Sequence, residues 1–510
     1  MTASRLGVAS LILVAGLLGS RVLGVVRNVV LAQAFGAGPE LDAYFAAFRL
    51  PDTLFQLLVG AVLGSAFLPT FTRMYTREGE AAAWRLASAA LTTFTGLGVV
   101  AALGGFLASP WLVPLTVPGF PPEQQRTTIV LSQIMLFSTA LFCTSGMITG
   151  VLNSRSHFLL PAIAPWLYNL SIIVATLLFT PALGIAAPAW GVSAGALLHL
   201  VVQLPGLRAI GMRWAPAGPG TNGLGEVARL MGPRVFALGA SQFNWLAATV
   251  LASGLAAGSV TALNYGWALA MLPLGLFGMA PATAAFPVLA AAAARGDWEA
   301  YAGTLQGGLR VMLFLALPAS AGLALVGQPL VALLFQRGEF AADATLLTSA
   351  ALACFSFGLF AHVTLEIASR ASYALADTRT PLAFALAGSV VNLALGLALR
   401  EPLGVAGLAL AMSVAAVLEA GGLLVVVAKR TPGWSWQSLA GSMQATCAAT
   451  LAMALVVGLL QPVAAGLPPL LALAALTIAG GAVFVAVAAA LRSPELVILT
   501  RSLLRRRAAA

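Results

Sequence analysis

Three arginines stand inside the first two apolar stretches of the chain: Arg21 and Arg27 in the first, Arg49 in the second. A guanidinium stays charged when desolvated and grips a phosphate through two parallel hydrogen bonds. Holding such a charge at the centre of a bilayer costs about 2.5–3.5 kcal/mol on insertion scales, so it marks a functional site by default. On a helix, Arg21 and Arg27 point about 120° apart and lie about 9 Å apart along the axis, so one broad cavity would receive both. Pro51, just after Arg49, should kink its helix and leave a carbonyl without its usual donor. These residues favour an anion site for phosphate or pyrophosphate. The structural alternative is that they pair with Asp42 or Asp52, or snorkel to an interface.

Four further polar residues lie in apolar surroundings: His199, Glu419, and His362 with Glu366, four apart on one helix face. They suit either proton coupling or ordinary contacts at helix ends and between helices. No H-E-x-x-H, Walker A or paired-Cys motif occurs, so metal hydrolysis and nucleotide hydrolysis lack support. Cys143, Cys354 and Cys447 are dispersed and support neither a disulfide framework nor a metal site. No catalytic residue, metal or cofactor is expected.

The elements that must position these residues follow from composition. The chain has 510 residues, is 60% hydrophobic and only 8% charged, with a mean hydropathy of +0.96. A soluble domain carries about 25% charged residues. A soluble enzyme is excluded, and so is a nucleic-acid binder, because the net charge of +10 is scattered through apolar sequence rather than gathered in a basic domain. A spanning helix needs about 20 apolar residues. Fourteen stretches qualify: 6–34, 42–72, 84–108, 127–152, 158–179, 186–206, 224–253, 260–291, 304–327, 344–371, 382–399, 403–428, 438–460 and 467–491. The first resembles a signal peptide, but it runs past Arg21 to Ala34 without an A-x-A cleavage pattern and is expected to be a retained helix. With the N-terminus inside, 17 of the 26 basic residues fall in cytoplasmic segments and 3 outside, the remaining six lying within or at the edges of spans. That is the bias of short cytoplasmic loops, and it places both termini in the cytoplasm.

An internal duplication appears at an offset near 220. Leu183–Leu200 and Leu403–Ala420 align without gaps at seven of eighteen positions, Pro161 falls on Pro381, and Leu50-Pro51 with Phe55 falls on Leu272-Pro273 with Phe277. His199 and Glu419 are equivalent. A shift of six helices preserves orientation, so the halves are parallel repeats, an arrangement typical of secondary transporters with a cavity between the repeats. The expected fold is an all-α polytopic membrane protein of fourteen transmembrane helices. Two six-helix repeats (1–215 and 216–430) surround a central cavity, and 431–510 forms a terminal helix pair with a basic cytoplasmic tail. The arginines are not repeated: Ser241, Ala247 and Met271 occupy the corresponding positions.

Particular motifs add to this. Ser20-Arg-Val-Leu-Gly24 with Arg27, Phe35-Gly-Ala-Gly38, Asp42-Ala-Tyr-Phe, Arg49-Leu-Pro51 and Ala66-Phe-Leu-Pro69 resemble the MurJ (MviN) family of lipid II flippases, in the MOP exporter superfamily. So do Met231-Gly-Pro233, Tyr265 with Leu272-Pro273, and Tyr373 followed by Asp377-Thr-Arg-Thr-Pro381. The resemblance implies a flippase, not an enzyme, that moves an undecaprenyl-pyrophosphate-linked peptidoglycan precursor from the inner to the outer leaflet of the bacterial cytoplasmic membrane. It implies cavity roles for Arg21, Arg27, Arg49 and Asp42. The implied partners are the lipid-linked substrate, the bilayer and the cell-wall synthesis machinery. Two departures stand out: Phe55 and Ala268 occupy positions where many members carry arginine. Arg234 is a candidate substitute. The alternative is another MOP exporter, moving a different polyprenyl-linked oligosaccharide or a small amphiphile.

The charge bias makes a topological prediction. Reporter fusions after Arg213, Lys429 and Arg507 should report cytoplasm, and fusions within 109–125 and 328–343 the exterior; an exterior signal at Lys429 breaks the fourteen-span map.

Overall fold

In a computed structural model of the chain, residues 3–60, 67–215 and 221–500 are described. They contain helices and connecting turns and no strand. The helices are α1 (Ala3–Phe35), α2 (Pro39–Phe55), α3 (Leu68–Arg77), α4 (Glu80–Thr116), α5 (Pro122–Ser154), α6 (Leu159–Leu183), α7 (Ala186–Val201), α8 (Leu204–Ala209) and α9 (Leu224–Ser253). They continue as α10 (Ser259–Pro273), α11 (Ala280–Arg295), α12 (Trp298–Phe335), α13 (Ala342–Phe357), α14 (Leu359–Ala374), α15 (Arg379–Lys429), α16 (Trp436–Ala464) and α17 (Pro469–Ala490). Among the described residues, ten helices are long and apolar enough to cross a membrane, or eleven if the bent pair α13 and α14 is one span.

Among the described residues the expected spans lie largely on helix, and the differences in count have physical causes. α15 runs 51 residues but breaks at Gly404, with φ +57° and ψ −134°. Uninterrupted, 51 residues would extend about 76 Å, more than twice the hydrocarbon thickness, so it holds two of the expected spans. The second span includes residues 61–66, which lie outside the described set. α13 and α14 are bent by 42° at Gly358, where a Cβ would stand 2.7 Å from the Ser413 hydroxyl. The proline kink expected at Pro51 takes a particular form. α2 gives way to a π-helical turn at Gln56–Gly60, and α10, after Leu272-Pro273, gives way to another at Leu274–Met279. Proline removes a ladder hydrogen bond, and the wider π turn is one way for the helix to continue.

Two compact units result: Met1–Val260 with Arg337–Ala341, and Thr261–Gln336 with Ala342–Ala510. In the first, Phe67, Phe71, Trp84 and Leu86 pack against Met147, Leu152, Leu224 and Val227, so α9 belongs by packing to the first unit although the repeat begins the second half with it. In the second, Tyr301, Leu305 and Leu309 of α12 pack against Val363, Ile367 and Leu423. The terminal pair α16 and α17 lies on α12 through Phe314, Met453, Val457, Leu476 and Phe484. Leucines such as Leu455, Leu459 and Leu471 are exposed, as suits side chains that meet lipid. Helix contacts use small residues: Trp166 donates its indole N–H to the Gly16 carbonyl at 2.8 Å and lies over Gly19, pinning α1 to α6.

The duplication is visible in backbone detail at an offset of 220. Gly184 has φ +53° and ψ −137°, nearly the angles of Gly404. Ser156 and Ala376 both take positive φ, at 58° and 57°. Ser193 donates to the Ile134 carbonyl and Ser413 to the Cys354 carbonyl, each at 2.7 Å.

The angles at Gly404 lie near a region open essentially to glycine alone, where other residues cost about 1–3 kcal/mol. Gly404→Ala should therefore lower the thermal unfolding midpoint of the purified protein. Gly421→Ala, in a helix with open space at the Cβ position, should leave it unchanged or raise it slightly.

Candidate functional site

The arginine cluster is assembled in the first unit. Glycines at 16 and 19 seat α1 on α6 and set the rotation at which Arg21 and Arg27 emerge. Both side chains are half-buried. Arg27 donates through Nε and Nη2 to Asn28 Oδ1 at 3.3 and 3.1 Å. It also lies within electrostatic range of Tyr44 on α2 and Tyr168 on α6. Among the described residues Arg21 has no hydrogen-bond or ion-pair partner. Arg49 lies within electrostatic range of Asp52 but donates its Nε to Thr249 Oγ1 at 3.2 Å. Its guanidinium stands 4.6 Å from the Trp245 ring centroid, a cation–π contact. Gln242 Nε2 donates to Asp52 Oδ2 at 3.3 Å.

Asp42 stands apart from this cluster. It is 2% exposed, and its Oδ2 accepts the Gly258 amide at 2.7 Å, so it ties the start of α2 to the turn after α9. Arg234 lies on α9, but its side chain is outside the described residues. Phe55 packs on Phe142 at 5.5 Å between centroids, and Phe142 in turn on Tyr168 and His199. Position 55 is therefore one edge of an aromatic layer. Ala268, on α10, is half-buried in the second unit.

The four coupling candidates have different surroundings. His199 Nδ1 is 2.6 Å from the Ser145 hydroxyl, Gln203 donates to that same hydroxyl at 2.8 Å, and Thr149 donates to Gln203 at 2.8 Å. Glu366 is ion-paired with Arg370 one turn on, not with His362. His362 meets Trp267 edge to face at 5.3 Å. Glu419 is half-buried, and its carboxylate lies against Gly388. Outside the spans, Asp377 receives the Thr380 hydroxyl and amide, then Arg430 and the Arg379 amide, which pull its carboxyl down to about 2.

Reasoning from sequence alone missed Tyr44, Tyr168 and the α9 face of Gln242, Trp245 and Thr249. The last carries a usable signal, since positions 242, 245 and 249 are spaced 3 and 4 apart and line one helix face.

A duplicated scaffold of long apolar helices with charge gathered inside one unit defines a polytopic membrane protein. Its fold is similar to that of a lipid II flippase MurJ in an inward closed conformation, with a TM-score of 0.80 at 22% identity over 97% of this chain and 100% of that one. A multidrug-resistance MATE family transporter of the MOP superfamily, facing inward, matches with a TM-score of 0.69 at 16% identity over 81% and 94% of the two chains. The family model of lipid II flippase MurJ matches residues 31–473. The lipid II flippase MurJ of Burkholderia cenocepacia is 32% identical over 432 residues, 81% of this chain and 83% of that protein. The probable lipid II flippase MurJ of Rhizobium meliloti is 33% identical over 413 residues, 79% and 77% of the two. The chain belongs to the MurJ family.

The geometry separates a buried, hydrogen-bonded carboxylate from an arginine side chain with no hydrogen-bond or ion-pair partner among the described residues. Asp42→Ala should destabilise the purified protein by about 1–3 kcal/mol, because a buried amide loses its acceptor, and its unfolding midpoint should fall. Arg21→Ala should leave the midpoint within error of the parent; an equal fall for both would make Arg21 structural.

Proposed function

We propose that this protein moves lipid II, an undecaprenyl-pyrophosphate-linked peptidoglycan precursor, from the inner to the outer leaflet of the bacterial cytoplasmic membrane by alternating access. The observation that carries the reading is the arginine cluster of α1 and α2 on the scaffold of this family. Residues 1–215 and 216–430 act as the two lobes, 431–510 as the terminal pair with its tail, and both termini are cytoplasmic. Arg21 and Arg27 hold the pyrophosphate, and Arg49, steadied by Thr249 and Trp245, adds positive potential behind them. Arg234 supplies part of what Phe55 and Ala268 lack. Partners of the same pathway, the cell-wall synthesis machinery, receive the exposed product.

The membrane potential favours both halves of the cycle. Carrying an anion outward across an inside-negative membrane is favourable by about 2.3 kcal/mol per charge per 100 mV. The empty site, positively charged through its arginines, is drawn back inward by the same field. A second reading, export of a different polyprenyl-linked oligosaccharide, is favoured by Phe55, whose aromatic packing leaves no arginine at that edge.

The test is rescue of cells depleted of their own lipid II flippase. The parent gene should rescue. Arg21→Ala and Arg27→Ala should each abolish rescue at unchanged membrane abundance, with Arg→Lys only partly active because the bidentate fork is lost. Failure of the well-expressed parent to rescue would favour the second reading, and rescue by both alanine variants would remove the anion site.

A further inference from the structure

The two units place different chemistry on one helical frame. Ser193 and Ser413 donate to carbonyls at equivalent positions, so α7 on α5 and the later part of α15 on α13 share a register. Beyond the bend at Gly358 the register holds, since Ala361 and Leu365 of α14 pack with Ala416 and Ala420 of α15. In the first unit this frame carries Phe142, Tyr168 and His199, with Phe142 touching both partners. The equivalent residues of the second unit are His362, Gly388 and Glu419. The side chains that complete the His199 network, Ser145 and Gln203, become Leu365 and Leu423. Glu419 therefore occupies the place of a histidine hydrogen-bonded through Nδ1, with its hydrogen-bonding neighbours replaced by leucines. Gly388, in the place of Tyr168, leaves its carboxylate room. Among the described residues neither the Glu419 nor the His362 side chain has a hydrogen-bond or ion-pair partner.

We infer that His362 and Glu419 form a proton-binding pair within the second unit, while His199 and Glu366 are structural. Glu419 lies ten residues from Lys429, about 15 Å along its helix, which is membrane depth. An ionised carboxyl there is costly without a partner. Taking up one proton converts the carboxylate and imidazole, net −1, into a neutral carboxyl and imidazole, and releasing it restores the charge. The pair thus gives the second unit two states that differ by one charge.

The titratable and charged groups on the surrounding elements are accounted for. α13 brings Asp343 and Cys354, and residues 380–399 of α15 bring no ionisable side chain. α10 brings Tyr265, stacked on Phe335. On α14, Glu366 and Arg370 neutralise one another, and Tyr373 lies at its end. α12 brings Glu299, Tyr301, whose hydroxyl donates to Ala371, and Arg310, which donates to Ser438; α11 ends at Arg295. None of these is bonded to the pair.

The inference deepens the transport reading, but its titrations need no substrate, so the two fail separately; only the liposome measurement uses lipid II. Trp267, in edge contact with His362, reports imidazole charge, because imidazolium quenches indole emission. Its signal is the emission difference between the parent and Trp267→Phe. Glu419 is read from the infrared carboxyl C=O band that Glu419→Gln removes. In a coupled pair, losing one member moves the midpoint of the other by about one pH unit or more. His362→Phe, which installs the residue of the first unit, should shift the infrared titration by that amount, with His362→Asn as a second variant should the first not fold. Glu419→Gln should likewise shift the Trp267 titration, whereas Glu366→Gln and His199→Phe should move neither. In liposomes bearing lipid II, Glu419→Gln should abolish the response of flipping to an imposed pH gradient while leaving its response to potential. Independent midpoints, or an unchanged response to the pH gradient, would overturn the inference.

Discussion

A single type of contact, a serine hydroxyl donating to a main-chain carbonyl of the neighbouring helix, sets the register on which each unit depends. In hydrocarbon a hydroxyl without an acceptor is expensive, so once Ser193 lies on Ile134 and Ser413 on Cys354, sliding by half a turn would strand it. With helix rotation and height set this way, residues 220 apart occupy like surroundings. The nearly identical angles of Gly184 and Gly404 show how far this extends. Differences between the halves are then differences of chemistry on a common frame, which is what allows His199 and Glu419 to be compared atom for atom with their neighbours.

Much of this frame was legible in the sequence because bilayer physics is written in composition. Apolar length, the placement of arginines in short loops and the Leu-Pro repeats each report on one helix at a time. What was not legible depends on contacts between distant residues. The bend at Gly358 arises where Ser413 approaches its backbone. The role of Asp42 requires an amide 216 residues away. The membership of α9 in the first unit follows from Leu224 and Val227 meeting Met74 and Leu86, whereas repeat logic alone assigns that helix to the second half. His362 and Glu366 looked like a pair by spacing, but Arg370, also one turn from Glu366, claims the carboxylate.

The three arginines are unequal in what the protein already does for them. Arg49 is held by Thr249 and by the face of Trp245; a desolvated cation–π contact is worth up to about 2 kcal/mol, a large share of the cost of burying the charge. Arg27 has Asn28 and the nearby tyrosines, which are neutral and orient it without cancelling its charge. Arg21 has neither kind of support among the described residues. An anion entering this region therefore gains most at Arg21, next at Arg27 and least at Arg49, where it must compete with contacts already made. On this ordering the proposed division of labour gives Arg49 the shaping of the potential and the two arginines of α1 the binding.

The same unit also determines where the chain leaves it. α9 is tied to the first unit along its length: Glu226 pairs with Arg73 in its first turn, Gln242 and Thr249 meet Asp52 and Arg49 in the middle, and Ser253 accepts the Gly119 amide near its end. Five residues later Asp42 holds the Gly258 amide, and the first unit ends at Val260. Gly258 takes φ +88°, and a Cβ there would stand 2.5 Å from the Ala37 carbonyl oxygen, so only glycine fits. The acid at the start of α2 and the glycine before α10 thus form one fixture. Because α2 also carries Arg49 and Asp52, the residue that anchors the exit of the chain and the residues that shape the charge of the site ride on the same helix.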